Sequence, residues 1–356
     1  MNILYIISPI AAILLTYLLI PLIRKIALLI ELVDKPNHRK VHYQPVPLVG
    51  GISIFIATSL VLALTISIDS GILGNKNIFI AAFILLVMGV IDDRFDLRAT
   101  LKLGIQLILA HYIFEQGIKI ESFYGFLGIY ELAPWAQYVV TVTVITGVIN
   151  AFNLMDGIDG LAAGIAILGF GVLTFLSALI GHNTMTLIFL TLIGSLLTFL
   201  RFNLSVKQKI FMGDAGSIVL GFILVVSSIS LLQSAHHSEY LYWVALGVIA
   251  VLIVPVLDAL RVFRKRAKSG KSPFHADKTH LHHLILSLGL KHKMTTITIL
   301  LIITIMMVFG LIGFKLLGLT FSIVTMLLIF YFVTSALQLN NTLNQWKQRI
   351  SELENR

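Results

Sequence analysis

The sequence predicts an all-α fold, a polytopic integral membrane protein with about eleven transmembrane helices. Three observations predict it. Hydrophobic residues make up 58% of the 356-residue chain and charged residues 12%, with a mean hydropathy of +0.96; a soluble domain carries about twice that charge. Apolar runs long enough to cross a bilayer, roughly 20 residues each, recur from end to end. The basic residues, finally, crowd into alternate loops between those runs.

The first run, 3–29, begins with neither a basic n-region nor a small-residue cleavage site, so it reads as a retained helix and not a removable signal. The next runs lie at 48–67, 77–91 and 100–117, separated by Pro-, Asp- and Lys-containing breaks. Those at 135–153, 158–180, 184–203 and 212–233 follow with Gly-rich or Asn/Asp-rich joints. The last three are 240–262, 294–314 and 317–339. The runs at 77–91 and 135–153 are the shortest or most polar. Residues 1–339 read as one transmembrane catalytic domain, and 340–356 as a polar tail that continues the last helix into solvent.

An odd number of spans puts the termini on opposite sides. Residues 24–47, 92–103, 201–209, 261–293 and the tail fall on one side and carry 23 of the 26 Lys and Arg residues; Lys76, Lys119 and Lys315 fall on the other. The basic side is cytoplasmic by the positive-inside rule, which places Met1 outside and the C-terminus in the cytoplasm. The formal charge of +9 is therefore an orientation signal and not a nucleic-acid footprint. With no cysteine in the chain, disulfides, thiolate metal sites and cysteine nucleophiles are excluded.

Carboxylates follow the same division: Asp92, Asp93, Asp96, Asp156, Asp159, Asp214, Asp258 and Asp277 all map to the basic side or just inside it. A charge at the bilayer centre costs about 3 kcal/mol or more, so such groups face a polar cavity or serve a function. Asp92-Asp93-Arg94-Phe95-Asp96 ends an apolar run. Adjacent carboxylates there suit a hard cation that bridges phosphates, such as Mg2+, or form a solvated helix end balanced by Arg94. In Asn150-Ala-Phe-Asn153-Leu-Met-Asp156-Gly-Ile-Asp159-Gly160, polar groups recur every third residue, and two carboxylates exceed what one helix cap needs. Phe211-Met-Gly213-Asp214-Ala-Gly216-Ser217 puts a lone carboxylate at a helix start, either as a cap or as a metal ligand beside amides that welcome phosphate. The stretch Ser272 to His283 joins His275, His280, His282 and His283 to a loop rich in Arg and Lys. Without Cys or a zinc motif, these imidazoles suit phosphate or sugar; an exposed lipid-touching loop explains the cations but not the close histidines. His111 reads as a packing residue, and His236 and His237 as solvated groups outside.

Taken in order, these motifs resemble the polyprenyl-phosphate N-acetylhexosamine-1-phosphate transferases, the MraY/WecA superfamily, and most closely its WecA-type members. The likeness adds Val33-Asp34-Lys35-Pro36-Asn37, Arg39-Lys40, His42 and Pro47-Leu48-Val49-Gly50-Gly51, and so extends over nearly the whole chain. It implies transfer of GlcNAc-1-phosphate from UDP-GlcNAc to undecaprenyl phosphate, releasing UMP at the cytoplasmic face of a bacterial inner membrane. Such a step starts a cell-envelope polysaccharide such as O-antigen or common antigen. It implies Mg2+, with Mn2+ as a substitute, on Asp214 and Asp92, with Asp92 and Asp93 as the catalytic acidic pair near the lipid phosphate. Asn153, Asp156, Asp159, Asn203 and Phe211 would line the nucleotide pocket, Phe211 stacking on uracil. Arg266, His280, His282 and His283 would contact the sugar pyrophosphate, and Lys40 the substrate. UDP-GlcNAc, undecaprenyl phosphate and membrane lipids are the expected partners, with a homodimer as the expected assembly and no nucleic acid. The loop before the histidine motif departs from that of the peptidoglycan translocase, which argues against a muramyl-pentapeptide donor. Other UDP-N-acetylhexosamine donors and teichoic-acid initiation stay open. An intramembrane prenyltransferase would leave the Asp214 and histidine motifs without work, and a secondary transporter would place its polar groups at the midplane.

Overall fold

The structure is a computed structural model that describes residues 3–35, 45–65, 70–270 and 279–354. Its helices are α1 (Leu4–Leu29), α2 (Gly50–Thr65), α3 (Lys76–Phe95), α4 (Ala99–Glu115), α5 (Pro134–Met155), α6 (Leu161–Leu179), α7 (Asn183–Asn203), α8 (Gly213–Ser234), α9 (Leu241–Lys268), the short α10 (Leu281–Leu286) and α11 (His292–Glu354). Every apolar run anticipated above falls on one of them. The last two runs lie on α11, whose backbone breaks once, at Gly318 (φ 82°, ψ −172°), a conformation that only glycine adopts without strain. Among the described residues seven helices, α11 counted as one, are long and apolar enough to cross a membrane. α2 and α4 have 16 and 17 residues, and α3 ends in Asp92-Asp93-Arg94. The chain is a multi-pass, all-α membrane protein.

Two small antiparallel hairpins complete the fold: β1 (Val33–Asp34) with β2 (Val46–Pro47), and β3 (Ser122–Phe126) with β4 (Ile129–Glu131). They mark opposite ends of the bundle. At the β3–β4 end, Leu127 donates its N–H to Thr320 Oγ1 just past the Gly318 break, and Tyr5 Oη donates to Asn183 Oδ1 at the start of α7. The other end holds the joints after α3, α5, α7 and α9.

α8 is the axis of the bundle. Its apolar window is 89% buried, against 22% for α1, so most of its side chains meet protein and not lipid. Close approach at its first turn depends on small residues. A side chain on Gly51 of α2 would run into the backbone of Gly216, and one on Gly89 of α3 into that of Ala215. The Pro47-to-Gly51 segment then locks onto the strand-like link before α8. Phe211 N–H donates to Pro47 O (2.9 Å), while Gly50 and Gly51 N–H donate to the carbonyls of Phe211 (2.9 Å) and Met212 (3.0 Å). The first amides of α2, which no intrahelical carbonyl can satisfy, are thus capped by the segment that presents Phe211.

Candidate functional site

Three helix starts at this end have no side-chain cap of their own, and each borrows one from another helix. Asp93, on α3, accepts the N–H groups of Asp214 (2.8 Å) and Ala215 (3.2 Å) at the start of α8. Asn203, on α7, accepts the Gly160 N–H (2.7 Å) before α6, and its Nδ2 donates to Ile210 O (2.9 Å). Asp258, on α9, accepts the Leu281 N–H (3.0 Å) at the start of α10. Each loan satisfies a buried amide and pins two distant stretches together.

The result is one cleft of about 870 Å³. Of the site residues anticipated from sequence, it brings together Asp92, Asp93, Asp156, Asp159, Asn203, Phe211, Asp214 and His283 in its lining. Asn153 stands just behind, donating to Ser217 Oγ at 3.3 Å. His280 and His282 are buried in the wall and absent from the lining, and Arg266 is buried on α9 with its guanidinium 5.9 Å from the Phe263 ring. Lys40, with Arg39 and His42, lies outside the described residues, as do Asp277 and His275.

The acidic side chains differ sharply in how far the protein satisfies them. The Asp92 side chain is nearly sealed: Oδ1 accepts the Leu97 N–H (2.8 Å) and Oδ2 meets Lys102 Nζ (2.7 Å). Asp93 has both oxygens on backbone amides, which fixes it as the support of α8. Asp214 is the open one, its side chain 39% exposed and its nearest cation, Lys102 Nζ, at 3.6 Å. Asp156 is half-buried in the α5–α6 joint; burial first, then the charges of Asp214 and Asp159, push its carboxyl up to about 7. Burial raises Asp159 as well, but His292 (3.5 Å) and Lys209 (2.7 Å) outweigh it and hold that carboxyl below its ordinary value. Lys209 also sits 5.3 Å from the centre of the Phe211 ring.

The histidine wall is built on Asp258, which no solvent reaches. Its Oδ2 lies 2.9 Å from His280 Nδ1 and its Oδ1 2.7 Å from Arg261 Nη2; Arg261 donates in turn to Thr279 O (2.6 Å). His280 stacks parallel on His282 (5.9 Å, 5°), and His282 rests on His283 (4.2 Å). His282 also fills the space beside Gly157, where any side chain would strike its ring. Burial, then the neighbouring His283 and His280, push the His282 imidazole down to about 3, so it stays neutral. Through this stack His283 reaches the cleft.

Among the described residues no group of three or more His or acidic side chains is arranged to hold a metal. Asp92 and Asp214 nevertheless converge on one cationic centre, the Lys102 ammonium. The open carboxylate of Asp214, with room beside it for water and phosphate oxygens, fits what Mg2+ commonly takes from a protein, and Asp92, whose two oxygens are held by Leu97 and Lys102, would join it only by exchanging Lys102 for the ion.

Sequence reasoning did not single out Asp258, Lys102, Lys209 or His292 for the site. Asp258 carried a signal: a carboxylate between Leu257 and Ala259 in an apolar helix needs a buried partner. The cations carried none, because their partners come from other helices.

A bundle of membrane-spanning helices with an acidic, cation-lined cleft at one end defines a membrane protein equipped to handle phosphate-bearing substrates where bilayer meets water. The family model of glycosyl transferase family 4 matches residues 76–232. Over 293 residues the chain is 37% identical to a probable undecaprenyl-phosphate N-acetylglucosaminyl 1-phosphate transferase of Bacillus subtilis, covering 81% of this chain and 79% of that protein. It is 31% identical to the undecaprenyl-phosphate alpha-N-acetylglucosaminyl 1-phosphate transferase of Yersinia pestis (82% and 80% covered) and 30% identical to that of Escherichia coli K12 (78% and 75%). The chain belongs to glycosyl transferase family 4, in its WecA-type branch of polyprenyl-phosphate N-acetylhexosamine-1-phosphate transferases.

Proposed function

We propose that the chain transfers GlcNAc-1-phosphate from UDP-GlcNAc to undecaprenyl phosphate at the cytoplasmic face of a bacterial inner membrane, and so begins a cell-envelope polysaccharide. The observation that carries this reading is the single cleft in which the open carboxylate of Asp214, the Asp156–Asp159 pair, Phe211 and His283 meet, at the end of the bundle that holds most of the Lys and Arg. With α11 counted as two crossings at Gly318, eleven spans put Met1 outside and this end inside. The named activity of the relatives supports the same substrates.

An oxygen of the lipid phosphate attacks the sugar-linked phosphorus of the donor, the bond to the UMP oxygen breaks, and UMP leaves with its electron pair. The attacking phosphate is already ionised at neutral pH, so no strong base is required. What must be overcome is repulsion between two anionic phosphates. Mg2+ held by Asp214 and Asp92 would supply charge neutralisation when bound. The chain's own groups do the rest: Lys102, Lys209, His292 and His283 surround the phosphates with cations and donors, Phe211 offers a face to uracil, and Asp93 holds the start of α8 so that Asp214 points into the cleft. With Asp92 and Asp93 both occupied by protein donors, a single displacement is preferred to an aspartyl-phosphate intermediate.

The acceptor's tail needs an exit into the bilayer. An apolar groove of about 450 Å³ between α2 and α3 starts at Ile52 and at Ile91, the residue just before the acidic pair, and continues past Val87 and Phe83.

Purified protein given a panel of UDP-sugars and undecaprenyl phosphate, with and without Mg2+, should release UMP from UDP-GlcNAc only with lipid and metal present. Pyrophosphate release, or substrate uptake into proteoliposomes with no UMP formed, would overturn the proposal.

A further inference from the structure

Both walls of the apolar α2–α3 groove run on into the cleft. On the α2 side the groove ends at Ile52, and Leu48, just before it in the chain, lines the cleft; on α3 it ends at Val90 and Ile91, and Arg94, about one turn later, lines the cleft. Phe83, Val87 and Val90 recur at a helical spacing that Arg94 continues, so its side chain leaves α3 from the face that lines the groove. An anion entering this way is poorly received. Asp92, Asp93 and Asp96 stand at the end of α3, and Asp34 lines the same cleft. Two of the described cleft-lining residues are Lys or Arg, and they are engaged differently. Lys209 is taken up by Asp159 at 2.7 Å. Arg94 donates one long hydrogen bond, from Nη1 to Glu31 O (3.3 Å), and lies 3.7 Å from Glu31 Oε2, which Lys35 Nζ already holds at 2.9 Å. Its side chain is 39% exposed, so most N–H donors of the guanidinium are open to an arriving acceptor.

We propose that Arg94 is the doorway residue for the acceptor: its guanidinium receives the phosphate monoester at the head of a single apolar tail lying in the α2–α3 groove, and hands it across the acidic rim into the cleft. The proposal rests on the lipid-phosphate acceptor of the reaction proposed above, and gives that acceptor a residue and a route. Charge and shape select the occupant. The planar fork of N–H groups matches phosphate oxygens in pairs. A terminal monoester carries more charge and more free oxygens than the phosphodiester of a two-chain phospholipid, so the doorway favours the polyprenyl phosphate over the bulk lipids around it. The cation also offsets the repulsion from the carboxylates at the end of α3, which lie well within a Debye length of about 8 Å.

Binding of undecaprenyl phosphate, titrated without donor into the full chain in nanodiscs of neutral lipid, tests this beside the UMP assay. Arg94→Gln should weaken lipid binding and raise the KM for undecaprenyl phosphate about tenfold, the scale of a charge-assisted hydrogen bond, with kcat and the KM for UDP-GlcNAc within about twofold. Arg94→Lys should recover part of the loss. Val87→Trp, which fills the groove, should raise the same KM. Glu31→Gln removes the acid beside Arg94 and should leave the acceptor KM unchanged or lower it. Lipid binding unchanged in Arg94→Gln, or a Glu31→Gln chain that reproduces the loss, would overturn the proposal and make Arg94 a brace for the end of α1. Displacement of undecaprenyl phosphate by an equal amount of phosphatidylglycerol would overturn it too. A chain that binds undecaprenyl phosphate through Arg94 yet releases no UMP would sink the reaction and keep the doorway; UMP release indifferent to Arg94→Gln would do the reverse.

Discussion

Asp214 and Asp258 are both carboxylates on apolar helices at the same end of the bundle, yet the protein treats them in opposite ways. Asp258 receives Arg261, His280 and the Leu281 amide within 3.0 Å and is sealed from solvent. Among the described residues Asp214 has one cation, at 3.6 Å, and its side chain stays 39% exposed. A buried charge must be paid for by partners. Where the protein supplies them in full, the group is scaffold; where it leaves the shell incomplete, the group is available to something that arrives later. Asp93 belongs with Asp258 by this measure, although its neighbour in sequence, Asp92, shares its Lys102 partner with Asp214.

The contrast can be broken by substitution. Asp214→Ala should lower UMP release by about 10²–10³ or more, the scale of losing a principal electrostatic group, with membrane insertion and melting temperature nearly unchanged; full activity would return Asp214 to the scaffold class. Asp258→Ala should do the reverse in kind. It strands Arg261 and should cost about 3–5 kcal/mol of stability, as breaking a buried ion pair does, seen as a large fall in melting temperature. Asp93→Asn keeps the shape and one acceptor but gives up the second acceptor for the α8 amides, and should cost about 1 kcal/mol with a weaker response to Mg2+ in the UMP assay. Asp156 is read by pH instead of by loss of activity. Because the fold raises its carboxyl from 3.8 to about 7, it stabilises fully below its ordinary value, and that contribution is lost as pH rises through about 7. In chelator, the melting temperature of the unaltered chain should therefore fall more between about pH 4 and 7 than that of Asp156→Asn. Identical pH profiles would show that the α5–α6 joint does not feel Asp214.

Most of the scaffold was readable from apolar run length, because a bilayer tolerates little besides helices. The gathering of Asp92, Asp156, Phe211, Asp214 and His283 was readable too, since charge placed them on one face. What a linear reading mixed together was the division of labour within that face. The resemblance assigns Asp93 to the catalytic pair and Asn203 to the nucleotide pocket; the structure adds that both also serve as struts, through hydrogen bonds from the amides of Asp214 and Ala215 and from Gly160. The resemblance places His282 at the sugar pyrophosphate; in the structure its ring fills the space against Gly157, with His283 at the opening. The two halves of each such pair lie tens of residues apart, and no periodicity links them.

The borrowed caps have a consequence for how the molecule comes into being. Asp93 is synthesised long before the α8 amides it will receive, Gly160 waits for Asn203, and Asp258 waits for Leu281. A ribosome must therefore have passed the histidine motif before the last wall closes, and a chain released earlier has α1 to α9 but no finished chamber. Truncated or stalled products are thereby left without the histidine wall that closes the cleft.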